Sequence, residues 1–338
     1  MKYSYFQIIV SLLSKIKRVF RYKSMDVVAM LGLDKQFFRK ARGARMLIYH
    51  GICQKDHTRF NPIFLTRKTF EEHLKFYAEY FNLVSLYEFY SGQFSNDRFN
   101  VCITFDDGYA NNFKYVLPLM EKYKAPISFF ITAIRKAGYN ILWNDFLGIV
   151  TKYGPTTLTY DNIQFGKDRS GRYAAKLTGM TLVEYLKENG FERKEEMMKQ
   201  LHQLFPLNTG EEDYWMQMSE DQILTLASSS LATIGSHGFY HNRMDNLSVP
   251  EAIDEMKTSK GYLEKLTGKQ ITALAFPYGN YSRTLVEEAK KIGYNQLLAM
   301  DFFYPEDKHD PSLRERFTVN PFISVNNQMH ATVVGRYE

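Results

Sequence analysis

The stretch from residue 100 to residue 132, NVCITFDDGYANNFKYVLPLMEKYKAPISFFIT, decides the fold. NVCITF is an unbroken apolar run of strand length, as expected of a strand covered on both faces. YANNFKYVLPLMEKY carries apolar residues at helical spacing, and APISFFIT is a second apolar run. Strand, helix and strand in succession argue for parallel neighbours joined by a helical crossover.

The alternation continues outward. Upstream, RMLIYHGI reads as a buried strand, KTFEEHLKFYAEYF as an amphipathic helix, NLVSL as a strand and YEFY as a short helix. Downstream, the helices SEDQILTLASSS, VPEAIDEMKTSKGYLEKLTG and SRTLVEEAKKIG alternate with the strands LATIGSH, QITALAFP and YNQLLAM. Six or seven such units in one chain favour an α/β barrel over an open sheet. The rhythm breaks from about 135 to 218, where polar DNIQFGKDRSGRY and charged EYLKENGFERKEEMMKQLHQLF predict a mostly helical insertion. The expected organisation is a basic N-terminal segment, 1–44, and a barrel domain, 45–338.

Phe6, Ile9, Val10, Leu13, Ile16 and Phe20 fall on one helical face, with Lys15, Lys17, Arg18, Arg21 and Lys23 clustered toward its end. The apolar run before Lys15 is too short to span a bilayer. A basic amphipathic helix suits an anionic membrane surface, so residues 1–23 are expected to contact a membrane peripherally, to dock on the protein itself, or to be a signal peptide without a convincing cleavage site. The location expected is cytoplasmic or membrane-peripheral.

The 338 residues are 45% hydrophobic and 24% charged, values of an ordinary globular chain. The net charge of +6 comes without a recognition-helix, zinc-finger or aromatic nucleic-acid signature, so no nucleic-acid partner is expected. Cys53 and Cys102 are the only cysteines, which excludes a disulfide framework or a cysteine metal site. Trp143 and Trp215 suit either sugar stacking or core packing.

Three segments follow apolar strands, where an α/β barrel assembles its site. In TFDDGY, Asp106 and Asp107 point to opposite sides if strand geometry persists, so one can hold a cation while the other stays a base. In SHGFYH, His237 and His241 stand four residues apart, a spacing that lets two imidazoles grip one ion. In FPYG, Pro277 and Gly279 fix a turn that can aim the Tyr278 N–H at a developing oxyanion. One Asp and two His leave open positions on a metal, the layout of a catalytic rather than a structural site. Asp107, His237 and His241 are therefore the candidate ligands of a divalent metal, zinc first and cobalt or nickel next. Asp106 is the candidate base, and the chemistry is metal-assisted hydrolysis of an amide or ester.

TFDDGY, SHGFYH and FPYG, in that order, resemble the first three motifs of the polysaccharide deacetylases, carbohydrate esterase family four. The resemblance runs from about MLIYHGI to RFTVNPFISV. It implies a distorted (β/α)7-type barrel, a divalent metal, and release of acetate from an acetylated glycan such as an N-acetylglucosamine polymer. It assigns Asp106 as catalytic base, Asp107, His237 and His241 as ligands, and Tyr278 as the backbone oxyanion donor. It also has departures. Gly238 and Asn242 stand where the family usually has Ser or Thr and Pro. Ala275 stands where many members carry an Arg that braces the catalytic Asp, so Arg314 or Arg316 is the expected substitute. For the family's general acid, a His in a late Leu-x-His motif, the nearest match is QMH, ending at His330. His309 is a weaker match, and His50, after the first strand, is a further candidate. The alternative is a catalytically silent relative that binds glycan or serves assembly.

Overall fold

The structure, a computed structural model, describes residues 2–204 and 209–337, with side chains described for 15–203 and 212–337. Phe6, Ile9, Val10 and Leu13 of the N-terminal pattern lie outside the described side chains.

Nine strands form one parallel sheet: β1 (Ala44–Tyr49), β2 (Phe81–Leu83), β3 (Phe99–Phe105), β4 (Ile127–Ile131), β5 (Ala232–Ser236), β6 (Ala273–Ala275), β7 (Gln296–Leu298), β8 (Leu313–Arg314) and β9 (Phe317–Thr318). Their order is β8-β7-β6-β5-β4-β3-β1-β9, with β2 on the first half of β3. The two ends of this path are separated in sequence only by Glu315 and Arg316. Ala299 N–H reaches the Arg314 carbonyl on one side, and Val319 N–H reaches the Ile48 carbonyl on the other. One short segment thus leaves β7 and joins β1, closing the curled sheet into a distorted barrel.

All seven residues of β3 are buried, as its unbroken apolar sequence requires. Alternate side chains divide into two cores. Leu47, Tyr49, Ile103, Phe105 and Phe129 face outward to the helices, where Phe70, Leu74 and Tyr77 of the helix Arg67–Tyr80 meet them. Met46, Cys102, Phe130, Ala275 and Leu298 fill the interior above Val84 and Leu86. Each large side chain buried in this way contributes roughly 1.5–3 kcal/mol. Helix starts follow side-chain capping: Ser85, Ser219 and Ser248 each begin a reciprocal box with the Glu or Gln three residues on.

β4 and β5 are sheet neighbours, yet the chain between them runs from 132 to 231. This excursion carries the helices Trp143–Tyr153, Leu182–Lys187 and Phe191–Leu204 around a core of its own. Where a mostly helical insertion is expected, it also holds a three-stranded antiparallel meander, Thr157–Tyr160, Ile163–Lys167 and Tyr173–Ala175. Asp161 and Asn162, both at positive φ, make the two-residue turn of its first hairpin.

Candidate active site

The register of β1 and β3 pairs Tyr49 with Phe105, and Asp106 N–H donates to the Tyr49 carbonyl at 3.0 Å. Tyr49 and Phe105 stack on the outer face. By alternation Asp106 turns to the barrel interior, and His50 stands on the same side, level with it. Asp107 follows with φ 74 and Gly108 with φ 75, so the chain swings out of strand geometry directly after Asp106. Gly108 is required there, because a Cβ would stand 3.1 Å from Ile131 in a conformation that L side chains rarely adopt. Seven non-glycine residues with positive φ occur among those described, and Asp107, His241 and Tyr278 are three of them. Backbone strain is concentrated where the functional groups converge.

Asp107 Oδ1 lies 3.4 Å from His237 Nε2 and 3.2 Å from His241 Nε2, and all three residues are buried. His237 Nδ1 stands 2.8 Å from the Ala275 carbonyl oxygen, which can only accept, so Nδ1 carries the proton and Nε2 presents a lone pair. His241 Nδ1 meets the Tyr278 hydroxyl at 3.2 Å, and when that hydroxyl accepts, Nε2 of His241 likewise presents a lone pair. A carboxylate oxygen and two imidazole lone pairs therefore face one another across a common point. That arrangement is repulsive unless a cation or a proton occupies it. Ligands about 2.0–2.2 Å from a tetrahedral ion stand about 3.3–3.6 Å apart, and both Asp107–His distances are close to that spacing.

The three charges shape one another. Burial pushes Asp107 upward, but the electrostatic pull of the neighbouring His241 and His237 holds it well below the usual carboxylate range. Burial lowers His237, but Asp106 and Asp107 together carry it above the ordinary imidazole value. For His241 burial prevails, and its pKa is lowered.

Arg316 is the guanidinium that Ala275 lacks. It grips Asp106 with both arms, NH1 to Oδ1 at 2.7 Å and NH2 to Oδ2 at 2.8 Å, and NH1 also donates to Thr104 Oγ1 at 3.1 Å. Both side chains are buried. Burial favours protonated Asp106, but Arg316 and His237 outweigh it and keep the carboxyl below its ordinary pKa, ionised and able to accept a proton. Arg314 is elsewhere, donating to the Asp310 and Leu313 carbonyls and lying over the Tyr90 ring.

His330 is not brought to this cluster. It lies on the helix Val325–Val334 with its ring stacked on Phe37, and Phe37 leads through Phe38 to Phe81, at the start of β2. That is the rim opposite the site. The likeness of QMH to a Leu-x-His motif does not carry over, because this helix packs outside the barrel. Gln328, in the Leu position, instead accepts from Asn320 N–H and from the Tyr337 hydroxyl. His309 lines a cavity with Ala44 and Arg45, also at the far rim. Trp143 and Trp215 are buried in the core of the excursion rather than presented as sugar platforms. Tyr278 has φ 61, and its ring packs against His241.

A supporting layer was not read from the sequence. Glu255, buried on the helix Val249–Thr267, accepts from the backbone N–H groups of Phe239 and Tyr240 at 3.2 and 3.0 Å and from Asn242 Nδ2 at 3.0 Å. Lys194, fully buried on the helix Phe191–Leu204, donates to Asn242 Oδ1 at 2.6 Å. Burial lowers the Lys194 pKa to about 8, against the pull of Glu255. Asn242, in place of the family's Pro, is thus the junction through which the excursion and a barrel helix hold the histidine turn. The excursion also grips the aspartate turn: Met218 N–H reaches the Gly108 carbonyl, Ala110 N–H reaches the Met216 carbonyl, and Tyr109 donates to Asp145 Oδ2 at 2.9 Å. The signal for both buried charges was present. Glu255 shares the buried stripe of Ala252, Met256 and Leu263, and Lys194 that of Met197, Met198 and Leu201. A charge inside an apolar stripe marks a paired group.

A barrel with one Asp–His–His donor set and an adjacent braced carboxylate has the layout of a metal-dependent hydrolase. The family profile described as polysaccharide deacetylase matches residues 95–297. Similar solved structures include the Streptococcus pyogenes deacetylase PplD in complex with acetate: 17% identity, TM-score 0.52, 86% of this chain and 97% of that one. IcaB from Ammonifex degensii is similar at 16% identity and TM-score 0.54, over 87% of this chain and 98% of that one. A polysaccharide deacetylase from Bacillus cereus is similar at 17% identity and TM-score 0.53, over 86% and 68%. No curated protein matches the chain at a significant level. The chain belongs to the polysaccharide deacetylase family, whose members are carbohydrate deacetylases.

Proposed function

We propose that the protein removes acetyl groups, N-acetyl in the first place, from an acetylated polysaccharide or oligosaccharide and releases acetate. The observation that carries this reading is the pairing of the Asp107–His237–His241 donor set with Asp106 held ionised by Arg316. Asp107, His237 and His241 would hold a divalent ion, zinc by preference for this donor set, and such an ion polarises the acetyl carbonyl and acidifies a water. Asp106 takes the proton of the attacking water as the new C–O bond forms. The Tyr278 backbone N–H serves the carbonyl oxygen as its negative charge grows. When the C–N bond breaks, the leaving amine takes a proton from His50, the histidine level with Asp106 on the same rim. The missing Arg at Ala275 had favoured a silent relative, but Arg316 supplies that guanidinium.

The test is acetate release from acetylated oligosaccharides by the chelated protein with zinc or cobalt added back, wild type beside Asp106→Asn. Metal-dependent release that the substitution abolishes is expected. Failure to release acetate across a broad glycan panel, with the metal demonstrably bound, would overturn the proposal.

A further inference from the structure

The helix Lys2–Met30 is held to the protein by one face of its later half. Asp26 accepts from Ser324 and Asn327, and the Tyr22 carbonyl accepts from Asn327 Nδ2. Tyr22, Met25, Asp26 and Ala29 are the partly buried positions. Away from that face Ile16, Val19, Phe20, Val27, Met30 and Leu31 are exposed, Phe20 by 75% and Met30 by 79%. Their spacing of three and four residues makes a single stripe. Lys15 and Lys17 are exposed on its two flanks, Lys23 within it between Phe20 and Val27 and Arg18 on another face, and no acidic residue precedes Asp26.

The place of this helix follows from its contacts. The helix Val325–Val334 begins near the site rim, where Val319 bonds Ile48, and runs toward the opposite rim, where the Thr332 carbonyl accepts from Arg45. Asp26 meets the beginning of that helix, and Phe37 meets His330 further down. Residues 15–21, which precede these contacts, are exposed throughout.

We propose that this helix binds an anionic lipid surface, with the Ile16–Leu31 stripe in the interface and the flanking cations on the headgroups. Charge decides the occupant. A second copy of the chain would bring two cationic helices together, whereas anionic headgroups complement them. Among the described residues no helix is long and apolar enough to cross a membrane. The assignment does not depend on deacetylation, because vesicle binding is read without turnover.

The full chain is sedimented with vesicles of phosphatidylcholine alone or mixed with phosphatidylglycerol. Binding that requires phosphatidylglycerol and weakens with salt is expected. The triple reversal Lys15→Glu, Lys17→Glu, Arg18→Glu and the double variant Ile16→Ser, Phe20→Ser should each lower the partition coefficient at least about tenfold. A Phe20→Cys chain carrying an environment-sensitive fluorophore should shift to the blue on the mixed vesicles; the label is selective because Cys53 and Cys102 are buried. Circular dichroism and turnover of a soluble substrate, unchanged in the variants, keep misfolding out of the reading. No binding to the mixed vesicles, or binding that neither variant weakens, overturns the proposal. So does a dimer in ultracentrifugation that Ile16→Ser, Phe20→Ser dissolves, since the stripe would then join two copies.

Discussion

Arg316→Ala removes both arms of the guanidinium from Asp106 and leaves a buried carboxylate without its counter-charge. Breaking one side of a buried ion pair costs about 3–5 kcal/mol, most of it from the charge left behind. For a chain of this length that corresponds to a fall of about 4–7 °C in midpoint, if unfolding is a single transition. The cost should depend on the charge of Asp106. In an Asp106→Asn background nothing charged is stranded, so the same Arg316→Ala change should cost at least about 1 kcal/mol less, within the usual range for coupled neighbours. The assay is a double-mutant cycle by thermal or urea unfolding of the four chelated proteins.

The pH dependence gives an independent reading. In the wild type Asp106 is held below its ordinary pKa, so its contribution to stability is present above the unfolded carboxylate value and is lost as pH falls through the folded one. Without Arg316, burial is the largest remaining influence and the folded pKa rises. The sign then reverses: the variant should gain stability relative to wild type as pH is lowered from neutral toward the unfolded value. The acid limb of kcat/KM should move to higher pH, because the base is ionised only there. Arg316→Lys keeps the charge without the fork and should fall between. Additive losses in the cycle, together with an acid limb that stays in place, would refute the bracing role.

Three further variants test the supporting layer, the histidine turn and the proposed proton donor. Glu255→Gln loses the carboxylate that gathers the N–H groups of the histidine turn, so metal affinity should fall about 10–100-fold by competition with a chromophoric chelator, while kcat at saturating metal changes far less. Gly238→Ala places a Cβ 2.8 Å from Met244 Cε at φ 77, and should cost more than about 1 kcal/mol in urea unfolding together with metal retention. His50→Asn should slow hydrolysis of an N-acetyl sugar by about 10²–10⁴-fold yet spare an activated acetyl ester, whose leaving group needs no proton.

The parallel α/β frame was legible because a parallel strand buried on both faces writes an unbroken apolar run, and β3 and β4 do so without ambiguity. The meander at 157–175 was harder to see. Its strands alternate, as in the exposed–buried pattern of Thr157–Tyr160, and its turn residues Asp161 and Asn162 resemble ordinary loop polarity. At the site, aspartates and histidines announce themselves by residue type, and the structure brings Asp106, Asp107, His237 and His241 together. Arg314 and Arg316 could not be separated by sequence, since residues two apart share a face in a regular strand. The strand is not regular there: it changes partner between the two, and only Arg316 turns into the barrel. His330 was proposed from a motif alone, and a motif does not say on which side of the sheet its helix packs.

The segment that carries Arg316 is also the one that joins the two edges of the sheet. Assembly and chemical competence are therefore one event. Until residue 316 is seated, the aspartate turn, roughly two hundred positions earlier in the chain, holds the proposed base, Asp106, without the guanidinium that keeps it ionised. On the mechanism proposed above, a nascent or partly unzipped barrel should be chemically silent even with the Asp107–His237–His241 set already assembled. Loosening this seam should extinguish turnover before the rest of the fold is lost, so that activity serves as a reporter of closure.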